Sequence, residues 1–282
     1  MRIATVEYQG KTFVASVDKA GETVTPLSVS DTNALFRGQR CETSGKAIGL
    51  SAVKLKAPVP LPLRNIMCVG KNYHEHAKEF SASGFDSSST SAADAIPTAP
   101  IIFTKVPQSV IGPDEPIRYP TGVSEQLDYE AELAVIIGRG GRGITKADAL
   151  KHVWGYTIVN DVTARDLQAR HKQWFLGKSM DTFAPMGPWA VTADEVDLAT
   201  AGIRCWVNGE LRQDAKIADL IFDIPTLIAT ISAGITLMPG DIIATGTPAG
   251  VGIGFKPPKF LKKGDVVAME VDGIGRLSNQ VR

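Results

Sequence analysis

Short apolar runs separated by turn-forming residues constrain this chain more than any other feature of its 282 residues. From Asn65 onward the runs have the length of β-strands, and Gly, Pro, Asn and Asp recur between them. The predicted strands span residues 66–69, 101–104, 133–137, 154–159, 203–207, 241–244 and 266–271. The 27 glycines and 17 prolines add many chain reversals. We therefore expect an α+β, strand-rich fold of mixed strands with few helices.

Helical periodicity is scarcer. The clearest predicted helix follows Asp223, with Pro225 in its first turn and apolar residues at helical spacing at Ile224, Leu227, Ile228 and Ile231. A second, short helix is predicted over residues 145–152, capped by Thr145, and a third after Asn72, which we expect to act as its cap.

The prolines suggest a division into two domains. Residues 1–60 predict a small N-terminal α/β domain that opens with an alternating strand and returns as a hairpin at Gly10 and Lys11. Prolines at positions 58, 60 and 62 stiffen the chain as an extended linker. The larger domain is expected over residues 64–282.

Charge and cysteine content exclude several classes of protein. The 30 Lys and Arg balance 30 Asp and Glu, so no net charge attracts nucleic acid or an anionic membrane. No apolar run approaches the length of a membrane span. The 3 cysteines lie far apart, which favours reduced thiols over disulfides. We expect a cytoplasmic protein that binds neither nucleic acid nor membranes.

Three carboxylates precede the most apolar predicted strand. Asp128, Glu130 and Glu132 recur with a period of two, which places them on one face of a strand. Asp161 follows the next predicted strand and could join them. A hard divalent cation such as Mg²⁺ or Mn²⁺ would neutralise such a cluster with oxygen ligands. The alternative is a solvated sheet edge whose charges alternate outward.

A glycine-rich segment after the same strand offers a different functional interpretation. Residues 138–143 match G-x-G-x-x-G after a strand, as in dinucleotide-binding proteins. The preceding strand carries Glu130 and Glu132, however, whereas a first dinucleotide-binding strand is continuously apolar. Ile144 and Thr145 also delay the next helix. A glycine-rich turn explains the segment better than nucleotide binding does.

A histidine and a glutamate lie three residues apart after the first predicted strand. On a helix, His76 and Glu79 share a face, so the carboxylate could orient the imidazole as a general base. A solvent-exposed helix pair is the alternative. Residues 81–98 follow, rich in Ser, Ala and Asp, and we expect a mobile loop that orders over substrate as a lid.

Together these segments resemble the fumarylacetoacetate hydrolase superfamily, and most closely its fumarylacetoacetate hydrolase domain-containing members, over about residues 64–282. Five motifs in order carry the resemblance: VGKNY at 69–73, DYEAE at 128–132, NDVTARD at 160–166, GKSMDTF at 177–183 and TGTPAGVG at 245–252. The resemblance implies a mixed β-sandwich roll and a homodimer. Lys71 stands where arginine is common in the family, which keeps the charge but loses a bidentate fork.

The resemblance also implies roles for individual residues. Glu130, Glu132 and Asp161 would bind Mg²⁺ or Mn²⁺, while Asp128 matches a position that is not a ligand in the smaller members. His76 and Glu79 would activate water, and Lys178 would hold substrate oxygens. The remaining expected substrate contacts are Lys71, Tyr73, Arg165, Gln168, Gly246 and Thr247.

The implied activity is hydrolysis of a C–C bond in a short β-diketo acid of the acylpyruvate type. A metal-stabilised enolate would leave after attack by a water that His76 and Glu79 activate. The alternative keeps the metal site for oxaloacetate decarboxylation or tautomerisation, or for isomerisation of a hydroxymuconate-type diacid. A non-catalytic binding protein is the third hypothesis.

Overall fold

A computed structural model describes residues 1–85 and 95–282 of the protein. The strands are β1 Arg2–Tyr8, β2 Lys11–Val17, β3 Thr23–Pro26, β4 Ile48–Gly49, β5 Lys54–Lys56, β6 Ile66–Gly70, β7 Ile101–Lys105, β8 Val110–Ile111, β9 Leu127–Asp128, β10 Ala131–Ile137, β11 Val153–Asn160, β12 Thr163–Ala164, β13 Ala184–Thr192, β14 Gly202–Val207, β15 Glu210–Lys216, β16 Ile242–Ala244, β17 Val266–Val271 and β18 Gly275–Gln280. The helices are α1 Thr32–Phe36, α2 His74–Ala82, α3 Arg165–Arg170, α4 Phe175–Lys178 and α5 Ile224–Ser232. Every strand predicted from Asn65 onward is present.

Within these residues the strands form a 12-stranded sheet, a 4-stranded sheet and a 2-stranded ribbon. The main path of the large sheet runs in the order β4-β3-β2-β1-β13-β11-β10-β16-β6-β7, with β5 paired to β1 and β8 paired to β13. The 4-stranded sheet runs in the order β15-β14-β17-β18. Most neighbours are antiparallel, but β16 runs parallel to β6, and β8 runs parallel to β13. The predicted strand-rich mixed fold with few helices is confirmed.

Helix α5 follows its sequence closely. The Asp223 carboxylate accepts a hydrogen bond from the Thr226 N–H at 2.9 Å, and a proline occupies the first turn. The predicted apolar face is buried. No helix within residues 1–85 and 95–282 is long and apolar enough to cross a lipid bilayer.

Two helix predictions are wrong in detail. Residues 145–152 form turns and a single 3₁₀ segment, Ala149–His152, although the Thr145 hydroxyl accepts from the Asp148 N–H at 3.3 Å as a cap would. Asn72 does not cap α2. Its side-chain amide instead donates to the carbonyls of Thr245 (2.7 Å) and Phe222 (3.0 Å).

Two other predicted segments have different outcomes. Helix α2 extends to Ala82, so the loop predicted from Ser81 onward begins later. Residues 86–94 of that loop lie outside the described residues. Residues 138–143 form the predicted turn, in which the Gly143 N–H donates to the Ser232 carbonyl.

The N-terminal strands extend the sheet of the rest of the chain. The predicted hairpin forms between β1 and β2, and β1 also pairs with β13, with Ile3 opposite Ala190. The hydroxyls of Thr5 and Thr32 donate to the Pro58 carbonyl at 3.1 and 2.8 Å. A domain boundary near residue 60 stays a prediction.

The chain segments that carry polar motifs lie together at one end of the strands of the large sheet. Strands β6 and β16 are parallel, so their carboxyl ends, at Gly70 and Ala244, lie at the same end of the sheet. Strand β10 is antiparallel to β16 and begins there at Ala131, and β11 ends beside it at Asn160. The residues just beyond these strand ends therefore lie close together.

Candidate active site

Three buried carboxylates meet at this end of the sheet. Oxygen atoms of Glu130, Glu132 and Asp161 all lie within 4.8 Å of one another. The ladder between β10 and β11 brings the two segments together, and the Asp161 N–H donates to the Glu130 carbonyl at 2.9 Å. The solvated-edge alternative is wrong, because all three side chains are buried.

Two cations neutralise Glu130. The Lys178 ammonium lies 2.8 Å from Glu130 Oε2 and 2.8 Å from Asp161 Oδ2. The Arg165 guanidinium lies 2.7 Å from Glu130 Oε1. Burial raises the pKa of Glu130, but these two cations outweigh it and lower that pKa to about 2.

Glu132 has a different environment. Its carboxylate accepts a hydrogen bond from the Gly246 N–H at 2.9 Å. Burial, together with the negative charges of Asp161 and Glu130, raises the pKa of Glu132 well above its usual range. Three close oxygen donors with incomplete charge compensation are suited to a hard divalent cation, so the cluster could hold a metal ion.

Asp128 does not share the face of the two glutamates, which corrects the period-two prediction. Strand β9 ends at Asp128 and β10 begins only at Ala131. The Asp128 carboxylate accepts hydrogen bonds from the Gly252 N–H (2.7 Å) and from Arg165 Nε (2.9 Å). Asp128 thus anchors Arg165 and the 245–252 turn beside the cluster.

The predicted His–Glu pair faces inward. His76 Nδ1 lies 3.2 Å from Glu79 Oε2, and His76 is only 4% exposed. The Gly250 N–H donates to the Glu79 carboxylate at 3.1 Å, which fixes helix α2 to the 245–252 turn. This geometry differs from an exposed helix pair and suits a base oriented by its neighbour.

A small cavity lies between this pair and the carboxylate cluster. Its volume of about 10 Å³ is close to that of one enclosed water. Eight residues predicted for the site line this cavity. Two are the expected metal ligands Glu130 and Glu132, and six are expected catalytic residues or substrate contacts: Lys71, His76, Arg165, Gln168, Lys178 and Thr247. Tyr73 lines a separate groove, and Gly246 contributes a backbone N–H to Glu132.

Lys105 belongs to the site and was not predicted. Its ammonium, fully buried, donates to Asp161 Oδ1 at 2.6 Å, to the Val162 carbonyl at 3.1 Å and to the Lys178 carbonyl. Burial lowers the pKa of Lys105 despite the nearby Asp161 charge. A lysine ending an apolar run was the available signal.

An apolar wall closes the cavity and was also missed. The Trp174 ring centroid lies 5.3 Å from that of Phe103 and 5.9 Å from that of Phe80. Gly70 lies beneath Trp174, where a Cβ would come within 2.3 Å of the indole. No periodicity in the sequence brings these three rings together.

Comparisons with known proteins agree with this architecture. Residues 65–282 match the family model described as "Fumarylacetoacetate (FAA) hydrolase C-terminal". The chain is 54% identical over 233 residues to oxaloacetate tautomerase YisK of Bacillus subtilis, covering 82% of this chain and 74% of the relative.

Two solved structures superpose on the whole chain. A fumarylacetoacetate hydrolase from Exiguobacterium antarcticum is 42% identical with a TM-score of 0.86, and 99% of it is covered. A 2-hydroxyhepta-2,4-diene-1,7-dioate isomerase from Mycobacterium marinum is 35% identical with a TM-score of 0.82, and 98% of it is covered.

Proposed function

The chain belongs to the fumarylacetoacetate hydrolase family, and from that premise we propose that it is an enzyme that interconverts the keto and enol forms of oxaloacetate or a similar short 2-oxo diacid. The small, cation-lined cavity carries this proposal. The relative at 54% identity is named an oxaloacetate tautomerase, which supports the same choice.

Cationic side chains line the cavity, although Arg165 and Lys178 also neutralise the carboxylate cluster. Lys71, Arg165 and Lys178 all line the cavity. Within the described residues, the buried Arg165 Nη2 has no hydrogen-bond partner, although Nε and Nη1 are both occupied. A buried guanidinium N–H needs an acceptor, and a substrate carboxylate would supply one.

The size of the cavity favours a short substrate. At about 10 Å³, the cavity takes an organic acid only if its lining side chains move. A four-carbon diacid requires less displacement than an acylpyruvate with a long acyl chain. Closure around substrate would also exclude water from the reacting atoms.

The residues present fit Mg²⁺ or Mn²⁺, which we propose Glu130, Glu132 and Asp161 hold. When bound, such an ion supplies Lewis acidity toward the 2-oxo group. His76, oriented by Glu79, would remove a proton from the carbon next to that group and return one in the reverse direction. Lys178 would stabilise the negative charge on the carbonyl oxygen until that oxygen takes up a proton from solvent, while His76 releases to solvent the proton it removed.

Acylpyruvate hydrolysis remains a second candidate because one observation favours it. The His76–Glu79 pair, held by the Gly250 N–H, could equally remove a proton from water. The resulting hydroxide would attack the distal carbonyl and release the pyruvate enolate. The expected homodimer and the cytoplasmic location also remain proposals.

A substrate panel tests the proposed function. The purified protein, loaded with Mn²⁺ or Mg²⁺, is mixed with enol oxaloacetate, acylpyruvates and fumarylpyruvate while enol absorbance is followed and products are identified. We expect faster loss of the oxaloacetate enol with total oxaloacetate conserved. Pyruvate and CO₂ would indicate decarboxylation, cleavage of acylpyruvates would indicate hydrolysis, and no acceleration on any substrate would refute the proposal.

Removal of the pair tests its role as the base. We expect His76→Ala and Glu79→Gln to lower the rate of tautomerisation by about a hundredfold to ten-thousandfold, the usual cost of losing a general base. Metal-assisted decarboxylation should fall less, because the metal and Lys178 suffice as the electron sink. Glu75→Gln is the matched control, since Glu75 is exposed on the same helix and pairs with Lys78.

A further inference from the structure

Gln213 connects two segments of the site, the 245–252 turn and the start of β10, although no motif includes it. It lies on β15 of the 4-stranded sheet and is fully buried. Its Nε2 donates to Thr247 Oγ1 at 2.8 Å and to the Pro248 carbonyl at 2.7 Å. Its Oε1 accepts from the Ala131 N–H at 3.1 Å, and Ala131 lies between Glu130 and Glu132.

These contacts fix the orientation of the Gln213 amide. A backbone N–H can only donate and a backbone carbonyl can only accept. The end of the amide that faces Ala131 must therefore be the oxygen, and the end that faces Pro248 must be the nitrogen. It follows that Gln213 donates to the Thr247 hydroxyl rather than accepting from it.

This polarity determines what Thr247 can do. A hydroxyl that already receives a hydrogen bond still has one proton to donate. Thr247 is 2% exposed and lines the cavity. The hydrogen bonds described for Thr247 leave its proton without a protein acceptor, so the proton is available to a ligand oxygen in the cavity.

The backbone keeps the 245–252 turn close to Gln213. Gly250 has φ of +102°, and a Cβ there would lie 1.9 Å from the Arg212 carbonyl oxygen. The turn therefore packs directly on strand β15. The Tyr129 hydroxyl also donates to the Gly250 carbonyl at 2.8 Å, which holds the turn from the other side.

We propose that Gln213 is a positioning residue that holds the Thr247 hydroxyl as a donor toward a carboxylate or enolate oxygen of the substrate. The inference rests on the proposed function, because it assigns a partner to an anionic oxygen in that cavity. Gln213 acts through Thr247 and contacts no reacting atom itself.

Binding of oxalate to the Mn²⁺-loaded protein, measured by calorimetry, tests this role, since oxalate presents anionic oxygens without reacting. Gln213→Met removes the hydrogen bond that fixes the Thr247 hydroxyl as a donor toward the cavity, and we expect oxalate affinity to fall about tenfold, as for one hydrogen bond to a charged group. KM for the substrate should rise by a similar factor, with a smaller change in kcat. Gln280→Met, on the same sheet with its amide at the Gly264 carbonyl, is the matched control and should bind normally.

A double-mutant cycle separates positioning from general support. Thr247→Val removes the hydroxyl, so Gln213→Met should cost no further affinity in that background, whereas Thr247→Ser should keep the effect. Equal losses with and without the hydroxyl, or no loss in Gln213→Met alone, would overturn the inference. If the wild-type protein binds no oxalate and converts no 2-oxo acid, the proposed function fails instead.

Discussion

At the scale of single residues, Glu130 and Glu132 differ in how far their buried charges are compensated. Glu130 is paired with Lys178 and Arg165, whereas Glu132 faces two other carboxylates and has a raised pKa. In the metal-free protein, we expect Glu132→Gln to raise the free energy of unfolding by about 1 kcal/mol, because it removes a poorly compensated buried charge. Glu130→Gln should lower it by about 3 kcal/mol, because two buried cations lose a partner.

Urea unfolding with a chelator present checks both signs. Mn²⁺ titration of the same variants should show at least about tenfold weaker binding for each, since each exchanges a charged carboxylate ligand for a neutral amide. If both variants lose stability equally, the electrostatic difference between the two glutamates is wrong. If Mn²⁺ affinity is unchanged in both, the metal assignment is wrong.

The sequence predicted the charged residues of the cluster but not their partners. A period of two before an apolar strand indicated Glu130 and Glu132, and a strand end indicated Asp161. Lys105 and Gln213 reach the cluster from β7 and β15, so their roles depend on how distant strands pack. The spacing of residues along the chain does not indicate such contacts.

At the scale of elements, Gly254 leaves the space that the Glu79 side chain of helix α2 occupies. A Cβ at Gly254 would lie 1.7 Å from Glu79 Oε1. We therefore expect Gly254→Ala to push the Glu79 carboxylate away from His76 and from the Gly250 N–H. The catalytic rate should fall by about tenfold to a hundredfold, toward the cost of losing the base.

Steady-state kinetics and Mn²⁺ titration check this effect, and Mn²⁺ affinity should stay unchanged because no metal ligand is touched. Gly234→Ala is the matched control, since a Cβ there meets no atom within 4 Å and the backbone φ is not positive. A normal rate in Gly254→Ala would show that the position of Glu79 is not critical.

Elements were predictable where local rules decide them. Helix α5 has its cap, proline and apolar face in sequence, and it forms as predicted. Near α2, tertiary contacts override the local rule, because Asn72 bonds to Thr245 and Phe222 instead of capping the helix. Such competition between a local cap and a distant carbonyl cannot be read from spacing alone.

At the scale of the whole molecule, Glu115 joins the N-terminal strands to the chain that carries the site. Its carboxylate lies 2.6 Å from Lys56 Nζ on β5 and accepts the Gly112 N–H at 2.7 Å. Burial raises the pKa of Glu115, but the Gly112 N–H and Lys56 outweigh it and hold that pKa below its ordinary value of 4.5. The ionised form therefore stabilises the folded state.

The sign of this linkage sets the pH dependence. A carboxylate whose pKa is lower in the folded state contributes fully above its unfolded pKa and loses that contribution as pH falls through the folded pKa. We expect Glu115→Gln to lower the free energy of unfolding by about 1 kcal/mol at pH near 7, a value discounted for partial exposure. The difference from wild type should shrink toward zero in acid, because Glu115 is then neutral in both states.

Urea unfolding of the wild type and the variant across this pH range, without metal, measures the difference directly. Glu42→Gln serves as the control, because Glu42 is exposed in the N-terminal region. A deficit that persists unchanged in acid would mean that Glu115 acts by packing rather than by charge. A deficit confined to neutral pH would show that an ionic contact ties the N-terminal strands to the rest of the fold.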